Sequence, residues 1–254
     1  MIIVKLSGGL GNQLFQYAYG KAYSLQKNQE FFLDISWYAG RLDRKYMLDN
    51  FNIQVKKVSL LNKIISKLFF PKNYLEDPIG NWHNEKYFKE YSNILKKEFI
   101  LRKPLSAQNQ EILKKIESSN SVSLHLRGGD YVTGKKSTFH GTCSPEYYKK
   151  AIEIIQQKMN SPEFFIFTDD IEWARNHITF PRFCTLVSSN NSLPWEELKM
   201  MSLCKHNIIA NSTFSWWGAW LNDSPNKIII APKKWFNNEQ MNTGEIIPNS
   251  WIKI

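Results

Sequence analysis

Apolar residues fall in short runs that empty into glycine or small polar residues, each followed by a stretch with helical spacing. Ile2 to Leu6 reads as a strand, Gly8-Gly9-Leu10-Gly11 as a glycine turn, and Asn12 to Asn28 as a helix with Leu14, Ala18, Ala22 and Leu25 on one face. A second strand covers Phe31 to Ile35. After a less regular basic middle the pattern restarts at Ser121 to Leu126, a strand running into the loop Arg127-Gly128-Gly129-Asp130. Ser144-Pro145 opens the next helix, with Glu146 in its first turn and Tyr147, Ala151 and Ile154 along its inner face. A strand from Phe164 to Thr168 ends in Asp169-Asp170. A helix near 194–205 precedes a strand from Asn207 to Ala210, and Lys227 to Ala231 is a last strand closed by Pro232. Strands alternating with helices predict an α/β protein of two Rossmann-like domains with parallel sheets. Pro104 and the polar run 106–110 interrupt the pattern, so the expected units are residues 1–112 and 113–254.

Polar chemistry concentrates where the strands of the second unit end. In open α/β sheets ligands bind beyond the carboxyl ends of the strands, and three such ends here deliver Arg127, Thr168-Asp169-Asp170 and Asn211-Ser212-Thr213 to one rim. Asn211, Ser212, Thr213, Phe214 and Ser215 stand where a new helix begins, a place whose free N–H groups attract anions. Arg127 offers a rigid fork of donors for phosphate oxygens, and Asp169 is placed to accept from a base amino group or a ribose hydroxyl. His125 shares the face of Arg127 by the period of two and is grouped with these donor-binding residues, although a structural hydrogen bond would equally explain it. The same holds for Asp169-Asp170, which would also serve as helix caps. Trp216, Trp217 and Trp220 at helical spacing form either core or a stacking surface.

The chain has 254 residues, 43% of them hydrophobic, and a mean hydropathy of −0.41, as expected of a soluble globular protein. Cys143, Cys184 and Cys204 show no disulfide or zinc spacing, so a reducing cytoplasm is expected and no metal. The opening MIIVKLSGGLGNQ turns polar too soon for a signal peptide, and no apolar run approaches the roughly 20 residues that span a bilayer. Residues 1–120 carry 19 Lys and Arg against 11 Asp and Glu, whereas 121–254 carry 14 against 12. Much of the excess lies in 55–72, where Lys56, Lys57, Lys63, Lys67 and Lys72 alternate with leucines and isoleucines. This predicts a basic amphipathic helix, either packed on the core or touching an anionic membrane surface or a pyrophosphate-bearing acceptor. No helix-turn-helix, zinc-finger or RNA-binding pattern accompanies the charge, so nucleic acid is not an expected partner.

The segments GGLGNQLFQYAYG at 8–20, NEKYF at 84–88, HLRGGDYV at 125–132, FFIFTDD at 164–170 and CKHNIIANSTFSWWGAWLN at 204–222 together resemble glycosyltransferase family 11, the bacterial α-1,2-fucosyltransferases. The resemblance spans nearly the whole chain. It implies a two-domain GT-B fold and inverting transfer of L-fucose from GDP-β-L-fucose, with no cofactor or metal. The acceptor it implies is a terminal galactoside of an oligosaccharide or lipid-linked surface glycan, and the phosphate-binding arginine maps to Arg127. Members of that family usually read His-x-Arg-Arg-Gly-Asp, and Gly128 stands here in place of the second arginine. Either the second cation is missing, or glycine lets backbone N–H groups approach the phosphates.

Such a reaction needs donors around the leaving diphosphate and a base for the acceptor hydroxyl. Arg127 and the 211–215 helix start supply the first; Asp130, Glu85 and His140, in that order, are the candidates for the second. Gly9, Gly11, Asn12 and Gln13 in the glycine turn are expected as acceptor or cleft contacts. Two other classes fit parts of the pattern. A nicotinamide-dependent oxidoreductase would use Gly9-Leu10-Gly11 and Asp34, but Leu14 stands where that fingerprint needs a small residue. A sugar-binding module would explain nine tryptophans without needing the Arg127 loop.

Overall fold

The computed structural model describes residues 1–59, 61, 63, 64, 68, 71–77, 80, 82–128, 143–189, 193–236 and 246–254. Contacts divide the chain into two compact units, Met1–Pro104 and Leu105–Ile254.

In the first unit Ile2–Lys5 forms strand β1, and Gly8, at φ +79°, turns the chain into helix α1, Leu10–Gln26, with Gly9 as its N-cap. A backbone at that φ suits glycine, which is why the helix starts two residues before the apolar spacing suggests. Farther along α1, a Cβ on Gly20 would lie 2.5 Å from Val4 Cγ2, so the missing side chain lets the helix rest directly on the sheet. Strand β2, Phe31–Asp34, pairs parallel to β1, with Lys5 opposite Asp34. Strands β3, Lys56–Lys57, and β4, Tyr74–Leu75, complete a four-stranded parallel sheet of order β3-β2-β1-β4. The unit closes with a short helix α2, Ser92–Glu98.

The basic helix expected over 55–72 is therefore corrected at its start. Lys56 and Lys57 extend the sheet, pairing with Phe32 and Leu33, because an edge strand exposes both lysine side chains while using their backbone. Lys67 lies outside the described residues.

The division falls between Pro104 and Leu105, eight residues before the expected 112–113. The polar run 106–110 opens helix α3, Ala107–Ser118, whose start is held by the second unit. Buried Glu196 accepts from Ser106 N at 3.1 Å, from Ser106 Oγ at 2.8 Å and from Asn109 Nδ2 at 2.6 Å. A carboxylate at a helix N-terminus satisfies donors that the helix itself leaves unpaired.

The second unit is built on strand β5, Asn120–Leu126, followed by helix α4 (Pro145–Lys158), β6 (Pro162–Thr168), α5 (Ile171–His177), β7 (Cys184–Leu186), α6 (Pro194–Leu203), β8 (His206–Ile208), α7 (Thr213–Trp220), β9 (Ile229–Ala231) and β10 (Ile252–Lys253). These strands form a six-stranded parallel sheet of order β10-β9-β8-β5-β6-β7. Val122, Leu124 and Leu126 pack with Tyr148, Ala151 and Ile155 of α4. The inner face of α4 thus also runs through Tyr148, with the expected Tyr147 and Ile154 partly buried against the same core. Alternate β5 residues Ser121, Ser123 and His125 face the other layer, equally buried. Ser123 Oγ accepts from Asn207 Nδ2 at 2.7 Å, and Asn207 Oδ1 accepts from Asn222 Nδ2 at 2.7 Å, so the Ser123 position of this row is satisfied across β8. A Cβ on Gly218 would meet Met201 Cβ at 2.8 Å, which brings α7 hard against α6.

Candidate functional site

The sheet order sets β5 between β6 and β8, and because all three run parallel, their carboxyl ends meet on one edge. The three-strand rim expected from the sequence is present. At its centre Arg127 Nε lies 3.3 Å from Asp169 Oδ2, while the backbone N–H of Gly128 donates to Asp169 Oδ1 at 3.2 Å. The Arg127 N–H donates to Tyr148 Oη at 3.4 Å. One carboxylate from the end of β6 therefore fixes both the guanidinium and the backbone at the end of β5. With the Arg127 side chain 18% exposed, the pair is shielded from much of the solvent screening that weakens surface pairs.

Asp169 and Asp170 divide the two roles that the sequence left open. Asp170 Oδ1 accepts from Trp173 N at 2.9 Å and caps α5. Asp169 pairs with Arg127, a contact that its expected role towards a base or a ribose did not include. Gly128 is explained by Trp173: a Cβ at 128 would lie 2.4 Å from the indole Cδ2. Its N–H donates to Asp169, and Gly129, the other amide of the expected glycine approach to phosphates, lies outside the described residues.

His125 stands two residues before Arg127 on the same strand, buried, its ring 5.8 Å from that of Phe214 in the first turn of α7. Burial, reinforced by the nearby Arg127 charge and opposed by Asp169, pushes its pKa down to about 3, so the imidazole is neutral at physiological pH. Its Nδ1 is buried and makes no hydrogen bond among the described residues. A buried imidazole nitrogen without a partner asks for an explanation, and a ligand group at this rim would provide one.

The 211–215 segment turns more of its chemistry inward than its composition suggests. Asn211 Nδ2 donates to Trp235 O at 3.1 Å, and Asn211 Oδ1 accepts from Cys143 Sγ at 3.5 Å. Ser212 Oγ caps α7 by accepting from Phe214 N at 3.3 Å, and buried Ser215 donates to Ser212 O at 3.4 Å. Thr213 and Phe214 are the half-exposed members of the group. Trp216, Trp217 and Trp220 are all buried, with Trp216 Nε1 donating to Ile246 O at 2.8 Å; they are core and not a stacking surface. Asp130 and His140, two of the base candidates, lie outside the described residues.

In the first unit the glycine turn is held from behind. Gln13, fully buried, donates to Gly8 O at 3.2 Å and Lys45 O at 2.9 Å and accepts from Met47 N at 2.9 Å. Its amide holds the turn from behind, a structural role beside the cleft contact expected of it. Asn12 is half-buried beside Gly8, Gly11 is buried within α1, and Gly9 has open space where a side chain would project. Glu85 begins a short 3-10 turn and pairs with Lys89 Nζ at 3.5 Å. Residues that sequence reasoning missed include Tyr148, Trp173 and Gln16, whose Oε1 accepts from Ser7 N at 2.9 Å. Among the described residues no group of His, Cys, Asp and Glu is arranged to hold a metal ion.

Comparison with known proteins bears on this arrangement. The sequence pattern of glycosyl transferase family 11 matches residues 1–254. An alpha-1,2-colitosyltransferase of Escherichia coli is 34% identical, over 100% of this chain and 99% of that protein. The O-antigen biosynthesis glycosyltransferase WbnK of Escherichia coli is likewise 34% identical, over 98% of this chain and 99% of that protein. Among solved structures, the fucosyltransferase NodZ from Bradyrhizobium shares the fold, with a TM-score of 0.57 at 12% identity over 85% of this chain and 91% of that one.

Proposed function

Because the chain belongs to glycosyl transferase family 11, we propose that it transfers L-fucose from GDP-β-L-fucose to the 2-hydroxyl of a terminal galactoside in a lipopolysaccharide or other surface-glycan repeat, with inversion. The family makes it a glycosyltransferase of GT-B fold and displaces the oxidoreductase and sugar-binding readings. The observation that carries the donor assignment is the Asp169 carboxylate spanning Arg127 and Gly128 where β6, β5 and β8 end. A guanidinium fixed at that edge is prepared for a diphosphate before it arrives, and preorganised charge is the largest single aid to a leaving group.

In this reading the acceptor oxygen attacks the anomeric carbon from the face opposite the diphosphate. A new carbon–oxygen bond forms, the sugar–phosphate bond breaks, and GDP leaves with the electron pair. Arg127 and the first turn of α7 stabilise the charge that develops on it. Neutral His125 adds a hydrogen bond without competing for the positive role. The acceptor proton passes to a base, for which Asp130 leads, with Glu85 and His140 behind it. No metal or cofactor takes part, and a cytoplasmic setting is supported by the free thiols of Cys143, Cys184 and Cys204.

A second donor is favoured by the Escherichia coli relative whose name specifies colitose, which is L-fucose without its 3-hydroxyl. One experiment tests both. The purified chain is offered GDP-fucose and GDP-colitose with a panel of galactosides and N-acetylgalactosaminides, and the products are read by mass spectrometry and NMR linkage analysis. A 1,2-linked fucosyl galactoside is the expected product; transfer of colitose alone, or of neither sugar, would overturn the reading.

A further inference from the structure

The helical residues described between 61 and 68 are amphipathic in the wrong sense for a helix lying on a core. Leu61 is 66% exposed, Ile64 47% and Leu68 70%. They stand at spacings of three and four residues, those of one helical face, and all three are open to solvent. The charged member, Lys63, points inward: its Nζ lies 2.8 Å from Oδ2 of buried Asp34 and donates to Ser36 Oγ at 2.6 Å. Hydrogen bonds from Lys63 and Tyr74, with one from the Ser36 backbone, outweigh burial and hold the Asp34 carboxyl at about 2, so the anchor stays charged. Asp34 ends β2, and the anchor therefore sits at the same carboxyl edge of the sheet as the Gly8-Gly9 turn after β1.

Charge identifies the occupant. Residues 55–72 hold five lysines and no acid. The Lys56 side chain is 76% exposed, its Nζ 3.5 Å from Oε1 of equally exposed Glu30 in a solvent-screened pair, and Lys72 is exposed as well. The surrounding unit, 1–104, has 17 Lys and Arg against 9 Asp and Glu, a net +8. A second copy of a chain with net charge +10 would bring like charge against like. An aliphatic stripe in a basic unit suits an anionic bilayer surface, where alkyl side chains enter the acyl boundary and ammonium groups meet lipid phosphates. Among the described residues no helix is long and apolar enough to cross a membrane, so any contact they make through this stripe is peripheral.

We propose that the Leu61–Ile64–Leu68 face, together with the exposed lysines Lys56 and Lys72 of the same stretch of sequence, is a reversible docking surface for anionic membrane lipid. Its use in presenting a lipid-carried acceptor rests on the proposed function; the binding itself does not. The test is flotation of the full chain with phosphatidylglycerol-containing vesicles and with phosphatidylcholine vesicles, in low and physiological salt. The parent should float with the anionic vesicles only, and less so as salt screens the lysines. Leu61→Gln/Ile64→Gln/Leu68→Gln should reduce the bound fraction at least about tenfold, and Lys56→Gln/Lys72→Gln should remove the salt dependence. Both variants should keep the parent's melting temperature and its transfer to a soluble galactoside. A parent that ignores anionic vesicles, or a triple variant that floats equally, overturns the proposal. So does a parent dimer that the triple variant dissociates without any lipid binding. A chain that floats as expected yet transfers no sugar keeps this inference and removes the functional one.

Discussion

The indole of Trp173 covers Gly128 so closely that a Cβ at position 128 would lie 2.4 Å from Cδ2 of the ring. The two residues form a lock between the end of β5 and the first turn of α5, and the lock stands beside the Arg127–Asp169 pair. Gly128→Ala should cost about 1–3 kcal/mol by overpacking. Combined with Trp173→Ala it should cost less than the two single changes added, because the smaller partner makes room. Urea unfolding of the four chains of that cycle measures this; strict additivity would mean that the contact does not constrain position 128.

Arg127→Lys should remove about 2–4 kcal/mol of transition-state stabilisation, since an ammonium keeps the charge but not the fork that meets a diphosphate. Asp169→Asn should lower kcat/KM by roughly ten- to a hundredfold while leaving Arg127 present, because a guanidinium displaced by a fraction of an ångström no longer meets the phosphates. Steady-state kinetics with varied donor reads both, and near-parent turnover in the lysine variant would separate Arg127 from the diphosphate.

His125 should make stability depend on pH. Its folded pKa of about 3 lies below the ordinary 6.5, so the unfolded chain takes up a proton in that interval that the folded chain refuses. Stability contributed by neutral His125 is complete above about pH 6.5 and is lost as pH falls towards 3, by up to about 1.4 kcal/mol per pH unit. His125→Gln removes the titration, so the difference in unfolding free energy between parent and variant should shift in the variant's favour as pH drops from 7.5 to about 4. A difference independent of pH would mean that the ring is hydrated.

Transfer should survive EDTA unchanged. Asp169 is engaged with Arg127 and Asp170 with the Trp173 N–H, which leaves neither carboxylate in the role of bridging a divalent ion to a diphosphate. Activity that vanished with EDTA and returned with magnesium or manganese would reverse this.

Strand ends were legible in the sequence because each apolar run stopped at a polar residue, and the parallel sheet then brought Arg127, Asp169 and Ser212 to one edge. Side-chain direction was not. A row such as Asn211-Ser212-Thr213-Phe214-Ser215 offers donors at every position, but Asn211 turns to Trp235 O, and nothing local says so. The polar run at 106–110 is a similar case: it looks like a linker until Glu196, far along the chain, is found at the head of α3. Lys63 is the sharpest case, since composition predicts an outward lysine and an inward leucine, and buried Asp34 reverses both. Gly128 could be seen as a departure from the family pattern, but only Trp173 explains it.

Asp169 also decides how the resting site meets other anions. Arg127 faces a carboxylate before any donor arrives, so it is not an isolated cation, and inorganic phosphate or a stray nucleotide gains only what it offers beyond an existing ion pair. Under the proposed function, selectivity would then fall to the rest of the donor, to the base and the sugar, whose contacts a simple anion cannot copy. After transfer the same carboxylate would take the guanidinium back as the spent nucleotide departs, turning an anion trap into a site that can empty itself.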